Sequence, residues 1–194
     1  MFKLVIVGTI AALAACEINH PVNKEIIEDI KSKTSLWQPA EVEENPLSSY
    51  SVDKIMGLMG TTISAPGNFP GPVIAANVPS SFDSRTQWPD CIHEIRDQAQ
   101  CGSCWAFAGS EALSDRFCIA SNGSVNVVLS PQDMVSCDSW NMGCNGGILP
   151  WAWSYLTTTG VVADSCFPYQ SATGTAPKCT NTCTDGSAFK KYKC

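Results

Sequence analysis

Histidine is almost missing from this chain, with two in 194 residues. That leaves too few imidazoles for a three-histidine zinc site. Charge is also sparse. Charged residues make up 15% of the sequence, against about 25% in a typical soluble domain. Positive charge is the minority, with 12 Lys and Arg against 18 Asp and Glu, for a net charge of −6. Clustered Lys and Arg are what a nucleic-acid surface needs, so that class of partner is excluded. There is no apolar run of about 18 residues, so no membrane span is expected. What is present points elsewhere. Apolar residues reach 44%, enough to build a core and too many for a disordered acidic chain. Eleven cysteines are characteristic of an oxidising compartment. The length suits one to two domains.

Residues 1–15 read as a secretory signal peptide. Lys3 supplies the positive start, Leu4 to Ala15 carry no charge, and Ala12, Ala14 and Ala15 offer small residues for cleavage. Leu13-Ala14-Ala15-Cys16 also resembles a bacterial lipoprotein cleavage box, which would put a lipid on Cys16. Both readings place the remainder outside the cytosol. From Glu17 to Asn77 the chain has no cysteine, four Lys and eight acidic residues. In that stretch Ile26, Ile27 and Ile30 have helical spacing, Ile55 to Met59 form an apolar cluster, and Ala65 to Pro72 read as a linker. From Val78 onward come ten of the eleven cysteines, so the best boundary lies near residue 78.

Three helices are expected beyond it. One starts near Ser103 or Cys104 and runs toward Ile119. A second starts at Ser130-Pro131-Gln132-Asp133, where Ser can cap, Pro suits the first helical position and Asp complements the dipole. A third covers about Leu149 to Thr159 and stops at Gly160, a left-handed cap.

The informative string is Gln98-Ala99-Gln100-Cys101-Gly102-Ser103-Cys104-Trp105-Ala106-Phe107. Cys104 falls at a helix N-terminus, where unpaired N–H groups and the macrodipole favour a thiolate nucleophile. Gln98 supplies an amide donor that could steady an oxyanion. Three chemistries fit these residues: acyl transfer by a Cys nucleophile, a redox dithiol built on the C-x-x-C pair Cys101 and Cys104, or two structural cysteines in separate disulfides. Zinc fits poorly, since no second C-x-x-C follows.

The flanking residues resemble the papain-like cysteine peptidases, whose nucleophile signature is C-G-[SA]-C-[WY]. Val78-Pro79-Ser80-Ser81-Phe82-Asp83-Ser84-Arg85 is similar to the start of a mature enzyme of the cathepsin B branch. Trp88, Cys91, Ile95-Arg96-Asp97-Gln98, Ser114-Asp115-Arg116, Leu129-Ser130-Pro131-Gln132-Asp133 and Cys144-Asn145-Gly146-Gly147 continue the likeness. Upstream, Thr34-Ser35-Leu36-Trp37 and Met56-Gly57-Leu58-Met59-Gly60-Thr61 resemble the short propeptide of such zymogens. The resemblance implies an α+β, papain-like two-domain fold. Of this fold mainly the helical left domain is expected here, in 78–194, after a signal peptide in 1–15 and a propeptide in 16–77 that ends near Asn77.

On the same resemblance Cys104 is the nucleophile and Gln98 an oxyanion-hole donor. Gly146 and Gly147 bind the substrate backbone, and Ile148, Leu149 and Pro150 border a side-chain pocket. The implied partners are peptide or protein substrates and the chain's own propeptide as inhibitor, with no cofactor or metal. The implied disulfides are Cys91 with Cys118, Cys101 with Cys144, Cys137 with Cys179, and Cys166 with Cys183, leaving Cys194 over. Spacing alone leaves roughly 105 pairings of eight cysteines open. The family's catalytic His and Asn lie about 130–150 residues after the nucleophile, whereas 90 residues follow Cys104 here. His20 sits in the leader and His93 reads as a solvated histidine in a surface turn, so the general base is expected downstream and the chain reads as a fragment. Cys166 and Cys179 enclose twelve residues without His, which departs from the occluding loop of cathepsin B and favours endopeptidase action. A secretory, lysosome-like, digestive or extracellular location follows. Asn122-Gly123-Ser124 is a glycosylation sequon. The rival readings are a non-catalytic binding or decoy module and a C-x-x-C thiol oxidoreductase.

Overall fold

The computed structural model describes residues 19–62 and 77–194. The expected signal segment, Cys16 and the linker from Ala65 to Pro72 lie outside the described residues. The chain divides into two compact units, Met1–Val52 and Asp53–Cys194.

In the smaller unit α1 spans Lys24–Lys33. Asn23 caps it by accepting the Ile26 N–H at 3.0 Å, Glu25 lies in the first turn, and Lys31 and Lys33 lie in the last, as the dipole favours. Of the three isoleucines expected on one face, Ile27 is buried, Ile30 half-buried and Ile26 exposed. Lys31 reaches Glu28 at 2.9 Å and Glu41 at 2.6 Å, and these carboxylates push its pKa up to about 12.

The larger unit holds α2 (Val52–Leu58) from its second residue on, a short α3 (Ser84–Gln87), α4 (Cys104–Ala120), α5 (Pro131–Cys137) and α6 (Leu149–Thr158). Among the described residues β pairing is confined to isolated bridges, such as Leu129 with Ala163 and Val161 with Tyr192. The helical character expected for the left domain is what the structure has. The three expected helices are all present and start where expected, and the two whose ends were expected near Ile119 and Thr159 stop within one residue of them. Ser130 Oγ accepts the Asp133 N–H at 3.0 Å. Gly160, at φ +81°, closes α6 with its N–H on Tyr155 O at 2.9 Å.

The central helix, α4, packs on both α5 and α6. Small and apolar side chains surround it, so it shows little of the one-sided pattern of a surface helix. Trp105, Ala106 and Leu113 are buried along it and meet Leu129, Met134, Leu156 and Val161 in one core. Burying each of the larger of these side chains contributes about 1.5–3 kcal/mol. Four disulfides tie the loops to this core: Cys91–Cys118, Cys101–Cys144, Cys137–Cys179 and Cys166–Cys183. These are the pairs the resemblance implies. Cys104 and Cys194 are free.

Asp133 does more than complement the helix dipole. Its carboxylate is fully buried. It accepts from Lys191 Nζ at 2.6 and 2.7 Å, Tyr155 Oη at 3.0 Å and Val162 N at 2.8 Å. Burial, reinforced by the Asp133 charge, pushes the Tyr155 phenol far above its ordinary value. The network joins α5, α6 and the segment near residue 191, and no local pattern announces it. Asp133→Ala leaves Lys191 facing an unpaired interior, so it should lower the unfolding free energy by about 3–5 kcal/mol, read by urea denaturation.

A second carboxyl, on the half-buried Glu111, is less well served. Glu111 Oε1 is buried without a hydrogen-bond partner. Burial, and to a lesser extent the charge of Asp115 one turn on, push its pKa up against the opposing pull of Arg96. The folded chain therefore holds this proton where the unfolded chain has released it. That proton stabilises the fold below the unfolded carboxylate value, and the benefit is lost as pH rises through the folded value. Glu111→Gln should accordingly be more stable than the parent at neutral pH and equal to it in acid below the ordinary carboxylate range, as measured by denaturation at both.

Candidate active site

The site is built where α4 begins. Ala99 adopts φ +52°, a region few non-glycine residues occupy, and its N–H is held by Asp97 Oδ1 at 2.8 Å. The chain thereby doubles back between Gln98 and Cys101. One amide hydrogen of Gln98 Nε2 goes to Cys101 O at 2.9 Å, and the other goes to Leu58 O at 2.8 Å. Tyr169 Oη donates to Gln98 O at 2.8 Å and also meets Ser103 Oγ at 2.8 Å, so a single phenol steadies both flanks of the turn. Burial raises its pKa, which keeps it a neutral donor.

Cys104 is the first residue of α4, partly exposed and unbonded to any other sulfur. The two cysteines of the C-x-x-C pair have different fates, since Cys101 is bridged to Cys144. That bridge, with Gly102 N–H donating to Cys144 O at 2.9 Å, draws the turn carrying Gly146 and Gly147 against the start of the helix. Gly146 has φ +113°, which L side chains rarely adopt. Gly147 lies flat on the Trp105 ring, and a Cβ there would overlap the indole. Trp105 Nε1 donates to Gly143 O at 3.1 Å and locks the ring beneath the turn. Asn141 Oδ1 accepts the Ile148 N–H at 2.7 Å and fixes the entry to α6, where Leu149 stays partly exposed.

The backbone edge of Gly147 is occupied. Its N–H donates to Gly60 O at 2.7 Å and its carbonyl accepts from Thr62 N at 2.9 Å, so Thr61 pairs with it in the parallel sense. Thr61 Oγ1 lies 3.0 Å from Cys104 Sγ, placing a hydroxyl at the sulfur where an acyl acceptor needs a carbonyl carbon. Gly60 passes directly over Gly102, and a Cβ at 60 would overlap the Gly102 backbone. The structure thus gathers Gln98, Cys104, Gly146 and Gly147 around one short segment. Sequence reasoning named these four, and it missed Tyr169 and the support from Trp105.

Neither histidine is bonded to the sulfur. His20 bridges Val22 O and Tyr50 O, each at 2.9 Å. His93 corrects the expectation of a solvated side chain. Its ring is 18% exposed and lies between Asp115 Oδ1 at 2.6 Å and Asn126 Oδ1 at 2.8 Å. It borders a surface pocket with Ile92 and Val128, and through Asp115 it acts as a tie between loop and helix.

Comparison with known proteins agrees with this geometry. Residues 78–194 match the model of the papain family cysteine protease. A cathepsin B-like protease of Giardia intestinalis is 48% identical over 118 residues, covering 60% of this chain and 40% of that protein. Cathepsin B-like cysteine proteinase 4 of Caenorhabditis elegans is 44% identical over 169 residues, covering 81% and 49%. This chain therefore spans half or less of the length of these relatives. A procathepsin B structure from Trypanosoma congolense superposes with a TM-score of 0.73 at 27% identity, covering 88% of this chain and 62% of that one. A digestive procathepsin L2 from Tenebrio molitor shares the fold, with a TM-score of 0.64 at 22% identity over 82% and 54%. A free thiol at the head of a buried helix and matches over most of the chain lead to one assignment: the chain belongs to the papain family of cysteine proteases, on its cathepsin B-like side.

Proposed function

We propose that this chain is the propeptide and nucleophile-bearing part of a cysteine endopeptidase made as a secreted zymogen. The observation that carries the reading is the free Cys104 thiol beside the Gly147 edge, with residues 60–62 already paired there. In the working enzyme a peptide takes the place of that segment, using the N–H and C=O of Gly147. The Cys104 sulfur attacks the scissile carbonyl carbon as a thiolate. Gln98 Nε2 and the Cys104 N–H stabilise the oxyanion, in place of the carbonyl of Leu58 that Gln98 holds at present. Collapse of the tetrahedral intermediate forms a thioester and expels the amine, which takes its proton from an imidazolium. Water then hydrolyses the acyl-enzyme.

The imidazole and its orienting Asn are assigned to the rest of a longer protein, since His20 and His93 are both engaged elsewhere. The face of α4 that begins with Cys104 continues through Glu111 and Asp115 by helical spacing. Four disulfides support folding in an oxidising compartment, in keeping with a lysosome-like, digestive or extracellular location. Residues 16–77 act as the inhibitor and cleavage near Asn77 releases them. The absence of His between Cys166 and Cys179 favours endopeptidase over carboxy-terminal dipeptide release.

The test uses the longer gene product with and without residues 16–77, and an epoxide-type thiol probe. Cys104 should label only after the leader is removed. Cys104→Ser should abolish peptide hydrolysis, and Gln98→Ala should lower kcat about 10²–10³-fold with native-like thermal unfolding. An unchanged kcat in the glutamine variant would reject its role. A separate expectation concerns the segment itself. Gly60→Val should lift it off Gly102 and give faster probe labelling of the uncut zymogen, and equal labelling rates would sink the inhibitory reading.

A further inference from the structure

We propose that Asn122 carries an N-linked glycan whose first sugar lies in the groove beside Trp88. The inference rests on the secretory reading above and adds a modification site at the far end of α4. A sequon by itself says only that the residue types are right. Here the local structure also presents them. After Ala120 the chain leaves the helix through Ser121, and Asn122 turns outward at φ +52°. Its backbone N–H is satisfied by Ile119 O at 3.2 Å, and that of Gly123 by Cys118 O at 2.8 Å. The turn is therefore held by its backbone, and the exposed Asn122 amide makes no hydrogen bond among the described residues. A Cβ at Gly123 would meet nothing within 4 Å, so there is open space around the sequon.

Beside it lies a surface groove of about 230 Å³, bordered by Gln87, Trp88, Asp90, Cys118, Asn122 and Gly123. Trp88 is half-buried, and Phe82 packs against it edge-on at 5.5 Å between ring centres. The Gln87 amide and the Asp90 carboxylate form no hydrogen bond among the described residues. An aromatic wall flanked by idle polar groups matches an N-acetylhexosamine, whose ring has an apolar C–H face and a polar rim. The indole takes the C–H face, and the amide and carboxylate take hydroxyls and the acetamido N–H. With 17 residues in α4, the attachment point is about 26 Å along the helix from Cys104, at 1.5 Å per residue. A glycan there covers the Cys91–Cys118 bridge and leaves the Gly147 edge clear.

The experiment expresses the chain in a eukaryotic secretory host, once with residues 1–15 and once with a proven leader in their place. Secreted protein with its four bridges closed should lose mass on treatment with peptide N-glycosidase F, with Asn122 converted to aspartate in the peptide map. The modification should vanish in Asn122→Gln and Ser124→Ala and persist in Ser124→Thr. An unmodified Asn122 in bridged protein secreted behind the proven leader would overturn the site. A glycan found with the proven leader alone would instead overturn the secretory reading while upholding the site. The seating is tested on native protein by the rate of enzymatic deglycosylation. Trp88→Ala should be deglycosylated several-fold faster than the parent, Gln87→Ala should move the same way, and Trp88→Phe should keep the parent rate. Equal rates in all four would reject the groove.

Discussion

The joint between the start of α4 and the turn at Gly146 is the constraint from which the site follows. Cys101–Cys144 and the hydrogen bond from Gly102 to Cys144 O bind two segments far apart in sequence. Trp105 fills the space beneath them and leaves Gly147 no room for a side chain. Cys104 is the next residue but one along the chain from Gly102, so its position relative to the Gly147 edge is set by packing rather than by any bond to the sulfur. A nucleophile held in this way can stay free and partly exposed without being loose, because the neighbours that fix it are buried and covalently tied.

How much of this could be read in the sequence depended on range. Ser130-Pro131 and Gly160 act on their own helix termini, and the helices begin and end where those residues direct. The cysteine partners follow from the family likeness, since spacing leaves many pairings possible. The Asp133–Lys191 pair spans 58 positions and was invisible, because a first-turn aspartate has the same local pattern whether it faces water or an ammonium. His93 was misread for a related reason. Its neighbours in sequence suggest a surface turn, while its partners Asp115 and Asn126 lie 22 and 33 residues away. Among the site residues, Cys104 and Gln98 were legible from one string, whereas Tyr169, which steadies that string, comes from beyond α6.

The two ends of α4 are used differently. At its head the thiol lies 3.0 Å from the Thr61 hydroxyl, beside a Gly147 edge whose N–H and C=O are both engaged. Midway along it Glu111 keeps a buried oxygen without a partner, and Arg96, from the segment before the helix, keeps a buried Nη1 in the same condition; natural proteins seldom leave such groups unmet. At its tail the chain emerges into solvent at Asn122. A single helix thus carries the reactive group, a polar face with unmet bonding capacity and an open surface turn, in that order.

The passage of Gly60 over Gly102 sets a rule for any ligand meant to lie in the same place. Main chain rests on main chain there, so the unit above Gly102 must be bare, and chemical variety has no foothold at that point. Selectivity among such ligands has to be written into the flanking positions, one toward the sulfur and the other toward Gln98.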